Sequence, residues 1–129
     1  MRALSLAVVG ADHPNKRGPT RRFEIALCKP GEPVELRREP NNPADPRAIA
    51  VYSEREVKMG YLTAERAPMI GSAMLAGREL QAVFQEHARW GAVIRLAMDG
   101  ASLALPEVAE QDADRVIIRD EFDQREWTD

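Results

Sequence analysis

Leu36-Arg37-Arg38-Glu39-Pro40-Asn41-Asn42-Pro43-Ala44-Asp45-Pro46-Arg47-Ala48-Ile49-Ala50-Val51 sets a stiff, polar loop between two runs of strand-like alternation. Pro40, Pro43 and Pro46 fix their own φ angles and push the residues before them toward extended backbone, so little chain entropy remains to be lost there. Asn41, Asn42 and Asp45 carry short polar side chains that bond neighbouring backbone or reach outward. Such a loop is either a corner that holds a small barrel in register or a preorganised edge facing a ligand.

The runs on either side read as strands. Val34 to Glu39 alternates, with Val34, Leu36 and Arg38 on one face and Glu35, Arg37 and Glu39 on the other. Arg47 to Ser53 and Val57 to Leu62 form a hairpin around the polar turn Glu54-Arg55-Glu56. Upstream, Leu4 to Val9 is a buried strand ending at Gly10, followed by a polar loop from Ala11 to Pro19. Thr20 to Cys28 fits either period. We read it as a short helix capped by Thr20, with Phe23, Ala26 and Leu27 on one face, ended by the turn Pro30-Gly31. Thr63 offers an N-cap for a second helix over Ala64 to Ala76, stopped by Gly77. Pro68 disfavours a continuous helix there unless the main helix begins at Pro68 itself. Leu80 to Ala88 and Gly91 to Met98 make the last hairpin around Arg89-Trp90, with Phe84 and Ala82 facing the core.

That reading gives a mainly β chain with α insertions: six antiparallel strands and two short helices in about a hundred residues. Strands in antiparallel runs suggest a small curved sheet or a closed barrel, which removes exposed edges. No run approaches the ~18 apolar residues of a membrane span, and Leu4 to Val9 lacks the cleavage signal of a secreted precursor. Cys28 is the single cysteine, so no disulfide forms within the chain, and a reducing cytoplasm is expected. One Cys and the distant His13 and His87 show no metal-ligand spacing, and no cofactor is expected.

The formal charge of −3 hides an asymmetry: residues 1–100 sum to +3 and residues 101–129 to −6. A barrel domain over 1–100 followed by an acidic tail over 101–129 is the expected organisation. The tail is either disordered, as its composition suggests, or docked through Val116-Ile117-Ile118. Lys16, Arg17, Arg21 and Arg22 cluster within seven residues, with no opposing charge among them. A solvated patch is the ordinary reading of such a cluster, and by charge alone it is also the strongest candidate for phosphate contact.

Four blocks carry a family resemblance. Gly10-x-x-His13-Pro14-Asn15, Pro30-Gly31-Glu32-Pro33-Val34-Glu35-Leu36, the stretch Arg38 to Tyr52 and Gly60-Tyr61-Leu62 together resemble the HIRAN domain, in order and spacing, over roughly Leu4 to Met98. HIRAN domains stand at the N-terminus of fork-remodelling helicases and also occur as separate bacterial proteins, which this chain looks like. The resemblance implies an OB-like β-barrel with helical insertions. It further implies a noncatalytic module that binds single-stranded DNA, or its free 3′ end, in DNA repair or fork processing. By position, Asp45 matches the family carboxylate that accepts a hydrogen bond from the 3′-hydroxyl, where a 3′-phosphate would be repelled. Asn42 would bond the sugar or base edge, and Tyr61 would lie against the nucleotide. The loop Pro40 to Arg47 would shape the pocket, and Lys16 to Arg22 would steer phosphates.

Two positions depart from the DNA-binding relative. Its aromatic before the key aspartate is Ala44 here, and Ala11, Asp12 and His13 replace a basic–aromatic pair. Base stacking contributes ~1–3 kcal/mol, so losing one ring weakens binding about 5- to 150-fold. These departures support a second reading, a protein-interaction module that kept the fold and lost the DNA pocket. Structural roles also fit the candidates: Asp45 capping a turn or pairing with Arg47, Tyr61 packing in a strand, His13 as a solvated turn residue. Trp90 is either a core lid or an exposed stacking surface. No phosphate loop or nucleophile–base grouping supports an enzyme. A Mg²⁺-dependent nuclease built on Glu39, Asp45 and Glu65 is not required by their spacing.

Overall fold

The computed structural model describes residues 3–105. In chain order the elements are β1 (Leu4–Val9), α1 (Arg21–Leu27), β2 (Pro33–Arg38), β3 (Ile49–Tyr52), β4 (Lys58–Leu62), α2 (Ala67–Leu75), β5 (Leu80–Ala88) and β6 (Gly91–Met98). The six strands close into a barrel in the order β1-β4-β3-β2-β5-β6, and every neighbouring pair is antiparallel. Of the two sheet forms that the sequence left open, the chain adopts the closed one. Inward-facing Leu6, Val8, Ile49, Val51, Met59, Phe84, Ile94 and Leu96 fill the barrel. Alternate residues of each strand line this core, as the pleat requires.

Glycines allow β1 to approach its neighbours closely. A Cβ on Gly60 would stand 2.3 Å from the Val9 carbonyl oxygen, and one on Gly91 the same distance from that of Val8. Both glycines also have φ near +155°, a conformation that side chains strongly disfavour.

The helices close opposite ends. Cys28, at the end of α1, brings its sulfur to 3.5 Å from that of Met59, and Arg22 donates to the Arg89 carbonyl in the β5–β6 turn. α2 buries Ala67, Ile70 and Ala73, and Gly71 packs on Ile49 near the far ends of the same strands. It begins at Ala67, with Pro68 in its first turn, rather than at Ala64. Proline lacks the amide that a first turn leaves unpaired anyway, so it starts the helix there.

α1 is capped by Thr20, whose hydroxyl accepts from the Phe23 amide at 3.0 Å. Its buried face is not the apolar one expected. Phe23 and Leu27 are exposed, while Arg21, Glu24 and Ile25 are buried. The reversal is possible because both charged residues find partners. Glu24 accepts from Arg55 Nε at 2.6 Å, and Arg21 bonds Asn15 and Gly10. A buried ion that is paired and hydrogen-bonded escapes most of the penalty of an isolated one.

Trp90 is exposed at its turn. Among the described residues no helix is long and apolar enough to cross a membrane. The apolar triplet 116–118 and most of the acidic tail lie outside the described residues.

Candidate nucleic-acid interface

Two loops flank the outer face of β3 and β4 and enclose a groove of about 920 Å³. One wall is the β1–α1 loop from Pro14 to Pro19. The other runs from Arg38 to Pro43, and Tyr52, Lys58 and Tyr61 lie between them.

The first wall is tied to β4 by Asn15. Its amide nitrogen donates to the carbonyls of Pro19 and Lys58, at 3.1 and 3.0 Å, and its oxygen accepts from Arg21 Nε at 2.8 Å. Arg21 then donates to the Gly10 carbonyl at 2.9 Å, with its guanidinium 5.5 Å from the centre of the Tyr61 ring. Its charge is thus spent on holding the loop and the ring, although it still lines the groove.

The second wall is held by local polar bonds, as the short side chains suggested. Asn42 Oδ1 accepts from the amides of Ala44 and Asp45, at 2.8 and 3.2 Å, and Asn42 Nδ2 donates to Glu39. Asp45 Oδ1 accepts from the Arg47 amide at 2.8 Å. Such turns, together with three prolines, leave the loop few alternative conformations.

Glu39 joins this wall to the floor. Its carboxylate accepts from Lys58 Nζ and from the Tyr61 hydroxyl, both at 2.7 Å, and Lys58 also donates to the Tyr61 oxygen at 2.8 Å. Burial pushes the Glu39 carboxyl up, but the bonds from Lys58, Tyr61 and Asn42 outweigh it and leave it below the usual carboxylate range. Burial likewise lowers the Lys58 ammonium, and its bonds to Glu39 and Tyr61 carry it above the ordinary lysine value. The ring of Tyr52 is covered by the Arg37 guanidinium at 3.9 Å, a cation–π distance.

The residues singled out from the sequence divide. Lys16, Arg17, Arg21, Asn42 and Tyr61 line the groove, whereas His13, Arg22, Asp45 and Arg47 do not. The expectation that the basic cluster has no opposing charge needs correction. Arg22 Nε stands 2.5 Å from Asp12 Oδ1, ten residues upstream, in a bidentate pair. Hydrogen bonding to Arg22 and its charge hold the Asp12 carboxyl below its usual range. Lys16, Arg17 and Arg38 are exposed and form no ion pair among the described residues. Arg47 faces a separate cleft with Pro46 and α2.

Sequence reasoning missed Arg38, Tyr52 and Lys58 as groove residues. Arg38 alternated with Val34 and Leu36, and the hairpin that carries Tyr52 and Lys58 did not say which of its faces meets the loop after β2. Among the described residues no group of three or more His, Cys, Asp or Glu side chains is placed to hold a metal ion.

The HIRAN domain family model matches residues 4–91. The crystal structure of the HIRAN domain of human HLTF superposes with a TM-score of 0.60 at 22% identity, covering 75% of this chain and 74% of that one. A crystal structure of a protein from Lactobacillus plantarum gives 0.59 at 22% identity, covering 74% of this chain and 95% of that one. At this identity the likeness is one of fold. Among curated protein sequences, none matches the chain. With a family model spanning most of the barrel, the chain belongs to the HIRAN domain family.

Proposed function

We propose that the chain is a noncatalytic module that binds single-stranded DNA, preferring a free 3′ end, through the groove between Pro14–Pro19 and Arg38–Pro43. The observation that carries this reading is the pairing of chemistries in one trough. Exposed Lys16, Arg17 and Arg38 stand around the rings of Tyr52 and Tyr61. Cations that follow a backbone, with rings on which bases stack, are what a single strand requires. Preorganised walls lower the ordering cost of binding. Asp45 lies just beyond the groove's edge at Pro43, where a carboxylate accepting from a terminal hydroxyl would set polarity. A role in DNA repair follows from the family resemblance and a reducing cytoplasm from the single cysteine, and both are part of the proposal.

Binding of a labelled ten-nucleotide single strand, followed by fluorescence anisotropy across a salt series, tests the reading. Three phosphates engaged predict a log–log salt slope near −2, falling toward zero in the Lys16→Ala/Arg17→Ala double variant. A slope unchanged by that double variant would move the contact elsewhere.

A second reading, a protein-interaction module, draws support from Asp12 and Ala44. Asp12 engages Arg22, and Ala44 offers no ring. It predicts no DNA affinity at any salt, and a protein partner captured without nucleic acid.

A further inference from the structure

The barrel closes unevenly. β2 pairs with β5 only at Pro33–Val83 and Val34–Ala82, with backbone bonds from Gly31 and to Glu32 continuing the ladder toward the α1 end. Beyond Val34 the two strands separate. Glu35 to Arg38 keep β3 on one side, and Leu80 and Gln81 keep β6, but neither segment has a strand partner across the seam. A cleft of about 310 Å³ opens there, lined by Val34, Leu36, Met74, Leu80, Ala82 and Leu96, with Arg78 and Glu35 at its rim. Val34, Leu36, Met74 and Leu80 are only partly buried although they pack against the core. Unpaired strand edges beside apolar side chains form the arrangement that accepts an added strand.

We propose that this seam takes the chain's own segment Arg115-Val116-Ile117-Ile118-Arg119 as an extended strand between β2 and β5. The chain leaves the barrel at this end: Met98 pairs with Leu80, and Asp99 bonds both the Glu79 carbonyl and the Arg78 guanidinium. Eleven residues separate Leu105 from Val116, an extended reach of roughly 36 Å. In a strand, Val116 and Ile118 share one face, which would meet the apolar cleft, and their β-branched side chains favour that conformation. The apolar core of the segment thus matches the apolar lining of the cleft. The cleft shares no lining residue with the DNA groove, so either proposal can fail alone.

Paramagnetic relaxation in the full chain tests it. A nitroxide on Arg119→Cys, with Cys28 left in its buried position, is expected to cut the amide signals of Glu35–Arg38 and Leu80–Gln81 more than twofold. Signals of α1, at the other end of the barrel, are expected to keep their intensity. Adding Val116→Asp/Ile118→Asp outside the barrel restores the lost signals and raises amide exchange in those segments at least tenfold. Equal broadening at both ends, or exchange unchanged by the double variant, would overturn the proposal. So would broadening that also arises when the spin label and the observed amides are on different chains, since a second copy would then fill the seam.

Discussion

The Tyr61 hydroxyl donates to Glu39 Oε1 at 2.7 Å, joining the floor of the groove on β4 to the wall that follows β2. Twenty-two residues separate the two in sequence. The bond fixes the ring's height and the loop's position together, so a change at either residue is felt at both.

Tyr61→Phe removes this bond and keeps the ring. We expect a loss of about 1 kcal/mol in stability, since Glu39 retains Lys58 and Asn42 as donors. Tyr61→Ala also removes the stacking surface and is expected to weaken single-stranded DNA about 5- to 150-fold. Urea unfolding and anisotropy titration measure the two effects separately. Equal DNA affinity in both variants would mean that the ring only packs.

The pH profile of stability follows from the same cluster. Glu39 has a folded pKa below its usual 4.5, so its contribution is complete above that value and is lost as pH falls through the folded pKa. Lys58 is raised above 10.5, so its contribution is complete below that value and is lost as pH rises through the folded pKa. Comparing wild type with Glu39→Gln in acid, and with Lys58→Met in base, isolates each limb. The difference in melting temperature should shrink at the corresponding extreme.

Asp12 and Arg22 form an exposed pair whose opening should matter more to DNA than to folding. Asp12→Asn is expected to leave stability almost unchanged, because exposed ion pairs contribute little to folding. It leaves Arg22 available beside the first wall and should steepen the salt slope of DNA binding by up to about one. A shallower slope would place Arg22 outside the path of the strand.

Cys28 is buried against Met59, and burial pushes its thiol up to about 11. At pH 8 the native protein should react with a thiol reagent far more slowly than the urea-unfolded chain. The sign for stability is a loss as pH rises from 9, the ordinary value, through about 11. Native labelling as fast as that of the unfolded chain would contradict the burial.

Gly60 has no room for a methyl group, with the Val9 carbonyl oxygen 2.3 Å from where its Cβ would stand. Gly60→Ala must separate β1 from β4 or strain both, at a cost of roughly 3 kcal/mol or more. A melting temperature close to wild type would show that the strands can part without loss.

Much of the fold was legible because its signals are local. The last hairpin falls where its alternation placed it, from Leu80 to Ala88 and from Gly91 to Met98, and Thr20 caps α1 as its residue type suggested. The orientation of α1 was not legible. Phe23 and Leu27 spell an apolar face, and only distant partners such as Arg55 and Asn15 allow Glu24 and Arg21 to be buried instead. The groove was half legible for the same reason. Asn42 and Tyr61 had a role to suggest them, whereas Arg38 and Tyr52 are only the ends of a motif stretch and Lys58 lies outside every motif; all three reach the groove through the pairing of β2, β3 and β4.

The most direct test compares a ten-nucleotide single strand ending in a 3′-hydroxyl with one ending in a 3′-phosphate, by anisotropy at low salt. Asp45→Asn serves as the control, because its side-chain oxygen can still accept from the Arg47 amide while the charge is gone. Binding is expected to be tighter to the hydroxyl end, and the preference to disappear in Asp45→Asn. Absence of binding to either strand, with the barrel intact, would contradict this expectation and favour the protein-interaction reading.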